Sequence, residues 1–186
     1  MESAVTTQRS PLRLLVPLAV GAAVALGLGV FGREHRPTGR QVEHLFFSGT
    51  INMKVWLASA AIVLAIGQVT TALWLYGRLP GVRRVPRRLP TVHRALGVLT
   101  FLFTVPVAYA CLWSLGFQHT DTRVLVHSIA GCFFFGAFAA KVVVVRSRSL
   151  PGAALPVAGG LLFSALVVIW LTSALWFFQH NPFPSF

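Results

Sequence analysis

Acidic side chains are nearly missing from this sequence: four Asp and Glu stand against sixteen Lys and Arg, for a net charge of +12. The four are Glu2, Glu34, Glu43 and Asp121, and none lies inside a long apolar run. That argues against a proton-coupled transporter built on intramembrane carboxylates, since such relays place Asp or Glu at membrane depth. Cysteine is as scarce. Cys111 and Cys132 both fall in apolar stretches without metal-ligand spacing, so they read as small apolar residues and not as a disulfide framework. Neither a Ser/His/Asp set nor a phosphate-cradling glycine loop is present, and the sequence names no catalytic residue. Charge of any sign is thin, at 11% of residues against the roughly 25% of soluble domains.

What fills the chain instead is apolar, 55% of its 186 residues. No charged residue occurs between Arg13 and Arg33, Lys54 and Arg78, Arg94 and Asp121, or Arg123 and Lys141, and none follows Arg148. A membrane span needs about 20 mostly apolar residues at 1.5 Å rise each. Each gap holds one, and a small soluble core could not hide five. The expected fold is an all-α polytopic membrane bundle of about five transmembrane helices. A head at 1–13 precedes spans at 14–31, 55–76, 95–117, 124–145 and 154–178, and a tail at 179–186 closes the chain. The first span, with Arg9 and Arg13 ahead of it, also has the outline of a signal peptide. Its length and the lack of a small-x-small site favour an uncleaved helix.

The excess of basic residues would suit nucleic acid on a soluble domain. Here those residues sit at the ends of apolar runs, where topology and anionic lipid use them, so no nucleic acid is expected and the lipid bilayer is the expected partner. Counted over the short loops, eleven Lys and Arg fall on the side of the N-terminus and five on the other. The expected orientation is N-terminus in and C-terminus out, in a plasma membrane. Trp56, Trp74, Tyr76, Trp113 and Trp176 lie near span ends, as interfacial aromatics do. Pro106, mid-way along the third span, predicts a kink.

Small residues recur every fourth position on two spans: Gly21, Ala25 and Gly29 on the first, and Ser128, Cys132, Gly136 and Ala140 on the fourth. Such stripes let helices approach closely. They read as packing seams, with a gap for a flat cofactor or a face for another membrane protein as the alternatives. Phe133, Phe134 and Phe135 point elsewhere, toward lipid or neighbouring helices.

The chemistry-bearing candidates are the six histidines. His35, His44, His119 and His180 fall in outer loops or the tail, His127 one turn inside the outer end of the fourth span, and His93 at the inner end of the third. His127 suits an axial haem ligand, a proton-relay group or a hydrogen bond to quinone, against the plainer reading of an interfacial histidine. His93, beside Arg94, suits a headgroup-level anchor. The pairs Glu34-His35 and Glu43-His44 have the donor types of a divalent-metal site, on a loop whose Pro37 and Gly39 give it no fixed geometry. Gln68, Thr70 and Thr71 are polar residues deep in the second span, expected to bond across helices or to their own carbonyls.

His93-Arg94-Ala95-Leu96-Gly97 opening one span, and Val126-His127-Ser128-Ile129-Ala130-Gly131 opening the next, resemble the membrane domains of b-type cytochromes of the ferric-reductase and ascorbate-reducing families. The resemblance implies haem b held by imidazoles. More broadly, the whole chain is similar to a family of uncharacterised small bacterial membrane proteins, and the stretch from His93 to Trp176 carries most of that likeness. Two departures bear on haem. Ferric-reductase-type helices carry a second histidine 13 or 14 residues on, where this chain has Pro106 and Val107. The assigned spans also put His93 and His127 about 30 Å apart, too far to share one haem. One outer haem is left, with His127 paired to His44, His119 or His180. The functional expectation is a membrane redox component that holds haem b or contacts quinone near the outer face. The alternative is a non-catalytic subunit or assembly factor acting through helix packing.

Overall fold

The computed structural model describes residues 12–39, 44–82, 84–147 and 150–181, and these are helical with no strand among them. Helices α1 (Leu12–Glu34), α2 (Thr50–Leu75), α3 (Leu89–Ser114), α4 (Thr122–Arg146) and α5 (Ala154–Trp170) follow in order. A π-helical turn at Leu171–Leu175 joins α5 to the short α6 (Trp176–His180). Five rods of 22 to 27 residues are thereby long and apolar enough to cross a membrane, the last running from Ala154 to His180.

Local chemistry sets the helix ends. Asp121 caps α4 by accepting from the Val124 N–H at 2.9 Å. Pro90 lies in the first turn of α3, where its missing N–H is harmless. Gly77, at φ 64°, ends α2: its N–H bonds the Trp74 carbonyl and the Arg78 N–H bonds that of Leu73. Those two bonds form a Schellman motif, which a residue with a Cβ would strain. The α3 helix runs unbroken across Pro106.

Packing runs antiparallel throughout. The α1 helix lies on α4, α4 on α5, α5 on α2 and α2 on α3. Phe101 of α3 closes the round by stacking on Phe138 of α4, with centroids 4.0 Å apart. The core is small. Ala61, Ile62, Ala65, Phe134, Leu162, Ala165 and Leu166 form its centre, while Leu15, Val16, Leu26 and Val63 are more than half exposed. So much outward-facing aliphatic surface on every rod is expected of a body solvated by lipid and not by water. Of the three consecutive phenylalanines, Phe134 enters the core, Phe135 meets Phe101 edge-on and Phe133 faces outward.

The two small-residue stripes meet each other. A Cβ built on Gly136 would lie 2.5 Å from the Gly21 carbonyl oxygen and 2.8 Å from the Ala25 Cβ, and one on Gly21 would lie 2.9 Å from the Gly136 oxygen. The α1–α4 seam is therefore backbone against backbone, with no slot for a flat cofactor. Gly21, Ala25, Gly136 and Ala140 are thereby engaged within the chain.

Candidate functional site

Antiparallel packing sorts the polar residues into two ends. The ends of α1, α3 and α6 and the starts of α2 and α4 gather His35, His44, His119, His127 and His180. His93 lies at the opposite end, which is rich in arginine. Lys141 of α4 is within electrostatic reach of His93. Fourteen residues of the same helix, about 21 Å, separate Lys141 from His127. His93 and His127 thus cannot clamp one haem.

At the histidine-rich end the best-built group lies between α4 and the π-helical turn. His127 Nδ1 is 3.1 Å from Thr172 Oγ1. That hydroxyl has a single proton, which it donates to the carbonyls of Val168 at 2.7 Å and Ile169 at 3.2 Å. With that proton on a carbonyl it accepts from the imidazole, the arrangement in which neutral His127 carries its proton on Nδ1 and a lone pair on Nε2. Arg123, one turn before His127, donates to the Thr172 carbonyl at 2.7 Å and lies 4.1 Å above the Trp176 ring. Trp176 in turn stacks on His180 at 4.4 Å, and His180 donates Nδ1–H to the Trp176 carbonyl. Thr172 lies in the π-turn, and such turns recur at functional sites. Lys54, from the start of α2, adds a positive charge within electrostatic reach of His127.

The other histidines are placed differently. His35 is stacked between Phe31 at 5.1 Å and Trp113 at 4.5 Å, its Nε2 buried without a hydrogen-bond partner. It is held there because the Phe117 N–H bonds the Gly32 carbonyl at 2.7 Å, tying α1 to the end of α3. Gly116, at φ 69°, permits this approach, since a Cβ on it would lie 2.6 Å from that same carbonyl. His44 donates Nδ1–H to the Phe47 carbonyl, and His119 is exposed in its turn. Of the suggested metal pairs, Glu43 lies outside the described residues, and His35 is engaged by aromatic rings. Among the described residues no three of His, Cys, Asp and Glu converge.

No hydrogen bond or ring contact joins His127 to a second histidine among the described residues. A porphyrin needs an interhelical gap beside its ligand; α4 near His127 is occupied at Ser128 and Thr172 and open at Gly131, where an added Cβ meets nothing within 4 Å. Ser128 is bonded to the Gln118 backbone, and Cys132 lies 3.9 Å from where a Gly29 Cβ would be. Thr172 occupies the α5 side. An apolar groove of about 450 Å³ between α2 and α3 is lined by Trp56, Ser59, Ala60, Val63, Leu64, Leu99 and Phe103, with no histidine among them.

The arginine-rich end holds a second polar group. Gln68 Nε2 donates to the His93 carbonyl at 3.1 Å. Thr71 Oγ1 lies 2.9 Å from His93 Nδ1 while donating its proton to the Gly67 and Gln68 carbonyls, so His93 has the same tautomer as His127. Both expectations for Thr71 therefore hold at once. Gly97 makes room, since a Cβ there would collide with Gln68 Nε2.

Sequence reasoning picked out His127 and missed Thr172, Arg123 and Trp176 as its surroundings. The signal was Thr172-Ser173 breaking an apolar run opposite a helix that opens with Arg123.

Fold and exposed apolar surface together define a multi-pass membrane protein of five helices. The chain belongs to the family of unknown function DUF6529, whose family model matches residues 14–185. No curated protein and no solved structure matches it.

Proposed function

We propose that the chain is the membrane subunit of a redox assembly in the plasma membrane, binding the head group of a quinone or quinol at its histidine-rich outer end through His127. One observation carries the reading: Thr172 holds Nδ1–H of His127 and leaves the Nε2 lone pair as a fixed acceptor. A quinol hydroxyl is a donor that needs such an acceptor, and histidine takes and returns protons near neutral pH. Arg123, clamped by the Thr172 carbonyl and the Trp176 ring, supplies a permanent positive charge that favours a quinol oxygen as its proton leaves. Electrons pass to a centre on a partner protein, and this chain binds and orients the head group. The orientation with the N-terminus inside rests on the bias of eleven basic loop residues against five. The alternative is a non-catalytic subunit joined through small-residue faces; the Gly21, Ala25 and Gly136 part of those faces is engaged within the chain, which favours the histidine-rich end.

The test is an anaerobic titration of the full-length protein in nanodiscs with a short-chain ubiquinol analogue, whose hydroxyl can donate to Nε2, read by tryptophan fluorescence. The expected result is saturable quenching whose apparent affinity falls about tenfold in H127A, the loss of one hydrogen bond to a polar head group. Quenching that never saturates, or that H127A leaves unchanged, refutes the reading.

A further inference from the structure

We propose that the arginine-rich end holds a second site, a seat for the phosphate of an acidic phospholipid headgroup between α2, α3 and α4, with Lys141 and His93 as its ligands. Lys141 stands five residues before the end of α4 and His93 five residues into α3, so both lie about 7 Å inside the helix ends. That is the depth at which a long cationic side chain reaches a headgroup. Among the described residues no side chain bonds or pairs with the Lys141 ammonium, and the single ion pair, Arg123 to Asp121, is at the opposite end. The described residues at the arginine-rich end include no carboxylate. A lone cation beside an imidazole, at membrane depth and without a counter-charge, is unfavourable until an anion arrives.

The surroundings are built rather than incidental. Thr71 fixes the His93 ring through Nδ1 and leaves Nε2 for a ligand, which meets a phosphate oxygen as a donor once the imidazole is protonated. Gln68 is locked on the His93 carbonyl, in the space that Gly97 leaves open. Toward the bilayer centre the seat is floored by the Phe101–Phe138 stack, one turn beyond Gly97 and Lys141. Toward the surface Arg146 follows on α4, and Arg87, Arg88 and Arg94 crowd the start of α3. A dry aromatic floor under a basic rim admits a headgroup phosphate and keeps its acyl chains outside, in the lipid. Basic pockets between transmembrane helices bind acidic headgroups by this arrangement.

The experiment uses full-length protein in phosphatidylcholine nanodiscs, with phosphatidylglycerol titrated in and bound lipid counted by native mass spectrometry. Wild type is expected to retain phosphatidylglycerol selectively over phosphatidylcholine. K141Q is expected to weaken that retention about fivefold, the effect of one cation at a headgroup. H93Q, which keeps a donor but no charge, falls between the two, and R33Q at the far end matches wild type. Addition of inorganic phosphate separates the sources. If millimolar phosphate leaves the lipid bound, the headgroup assignment stands; if it displaces the lipid and binds alone with the same Lys141 dependence, the lipid assignment is overturned. Equal retention of both lipids, or K141Q indistinguishable from wild type in a protein that still unfolds cooperatively, overturns the site altogether.

Discussion

Substituting Gly136 by alanine adds one methyl group where two backbones touch, and the consequence can be worked from distances. The new Cβ would sit 2.5 Å from the Gly21 oxygen, where ordinary contact begins at 3.4 Å. The α1 and α4 helices must separate locally by about 0.9 Å, and because the obstruction is backbone no side chain can rotate away. Overpacking of this kind costs about 1–3 kcal/mol. Alanine also gains helix propensity over glycine, by about 1 kcal/mol. The gain is removed by comparison with Gly131→Ala on the same helix, where an added Cβ meets nothing within 4 Å. The difference between G136A and G131A isolates the seam, and G136A is expected to be the less stable by about 1–3 kcal/mol. The assay is equilibrium unfolding in mixed detergent micelles with increasing dodecyl sulfate, followed by tryptophan fluorescence. The double variant G21A/G136A should cost less than the sum of the two single variants, since one separation of the helices relieves both. Equal stabilities for G136A and G131A would falsify the closed seam, and with it the exclusion of a flat cofactor there.

At the other seam, G97A should dislodge Gln68 from the His93 carbonyl and destabilise the protein by about 0.6–1.5 kcal/mol. Q68A in the same chain should restore part of that loss, and an additive double variant would show that Gly97 does not serve Gln68. R123K keeps the charge but loses the planar contact with Trp176 and the clamp on the Thr172 carbonyl. It should weaken quinol quenching severalfold while leaving the protein folded, and an unchanged affinity would remove Arg123 from the site. In a C111A/C132A background, Thr120→Cys should react with an impermeant maleimide on intact cells and Arg87→Cys only after permeabilisation. The reverse pattern would invert the proposed orientation.

The five helices were legible because charge-free gaps survive any packing: a span must bury its backbone in its own hydrogen bonds whatever its neighbours do. The stripe of Gly21, Ala25 and Gly29 was legible for a similar reason, since a four-residue period fixes one face of a helix. Which stripe met which was not, because α1 and α4 are joined only through more than eighty residues of intervening chain. The candidate site was half legible. His127 stood out as a polar group at membrane depth. Thr172 could not be linked to it, since the π-turn that carries it has no composition of its own: Leu171–Leu175 reads as ordinary helix. His93 read as an anchor at the surface, because a hydrogen bond to a residue 22 positions earlier leaves no trace in spacing.

If the end of the bundle around His127 receives a quinone head group, photoaffinity labelling will mark that end. Full-length protein in nanodiscs is irradiated with an azidoquinone, digested and mapped. Label is expected on peptides spanning 123–127 and 172–180, displaced by unlabelled quinone and lost in H127A. Label spread along the lipid-facing residues, or confined to the α2–α3 groove at Val63 and Leu99, contradicts it.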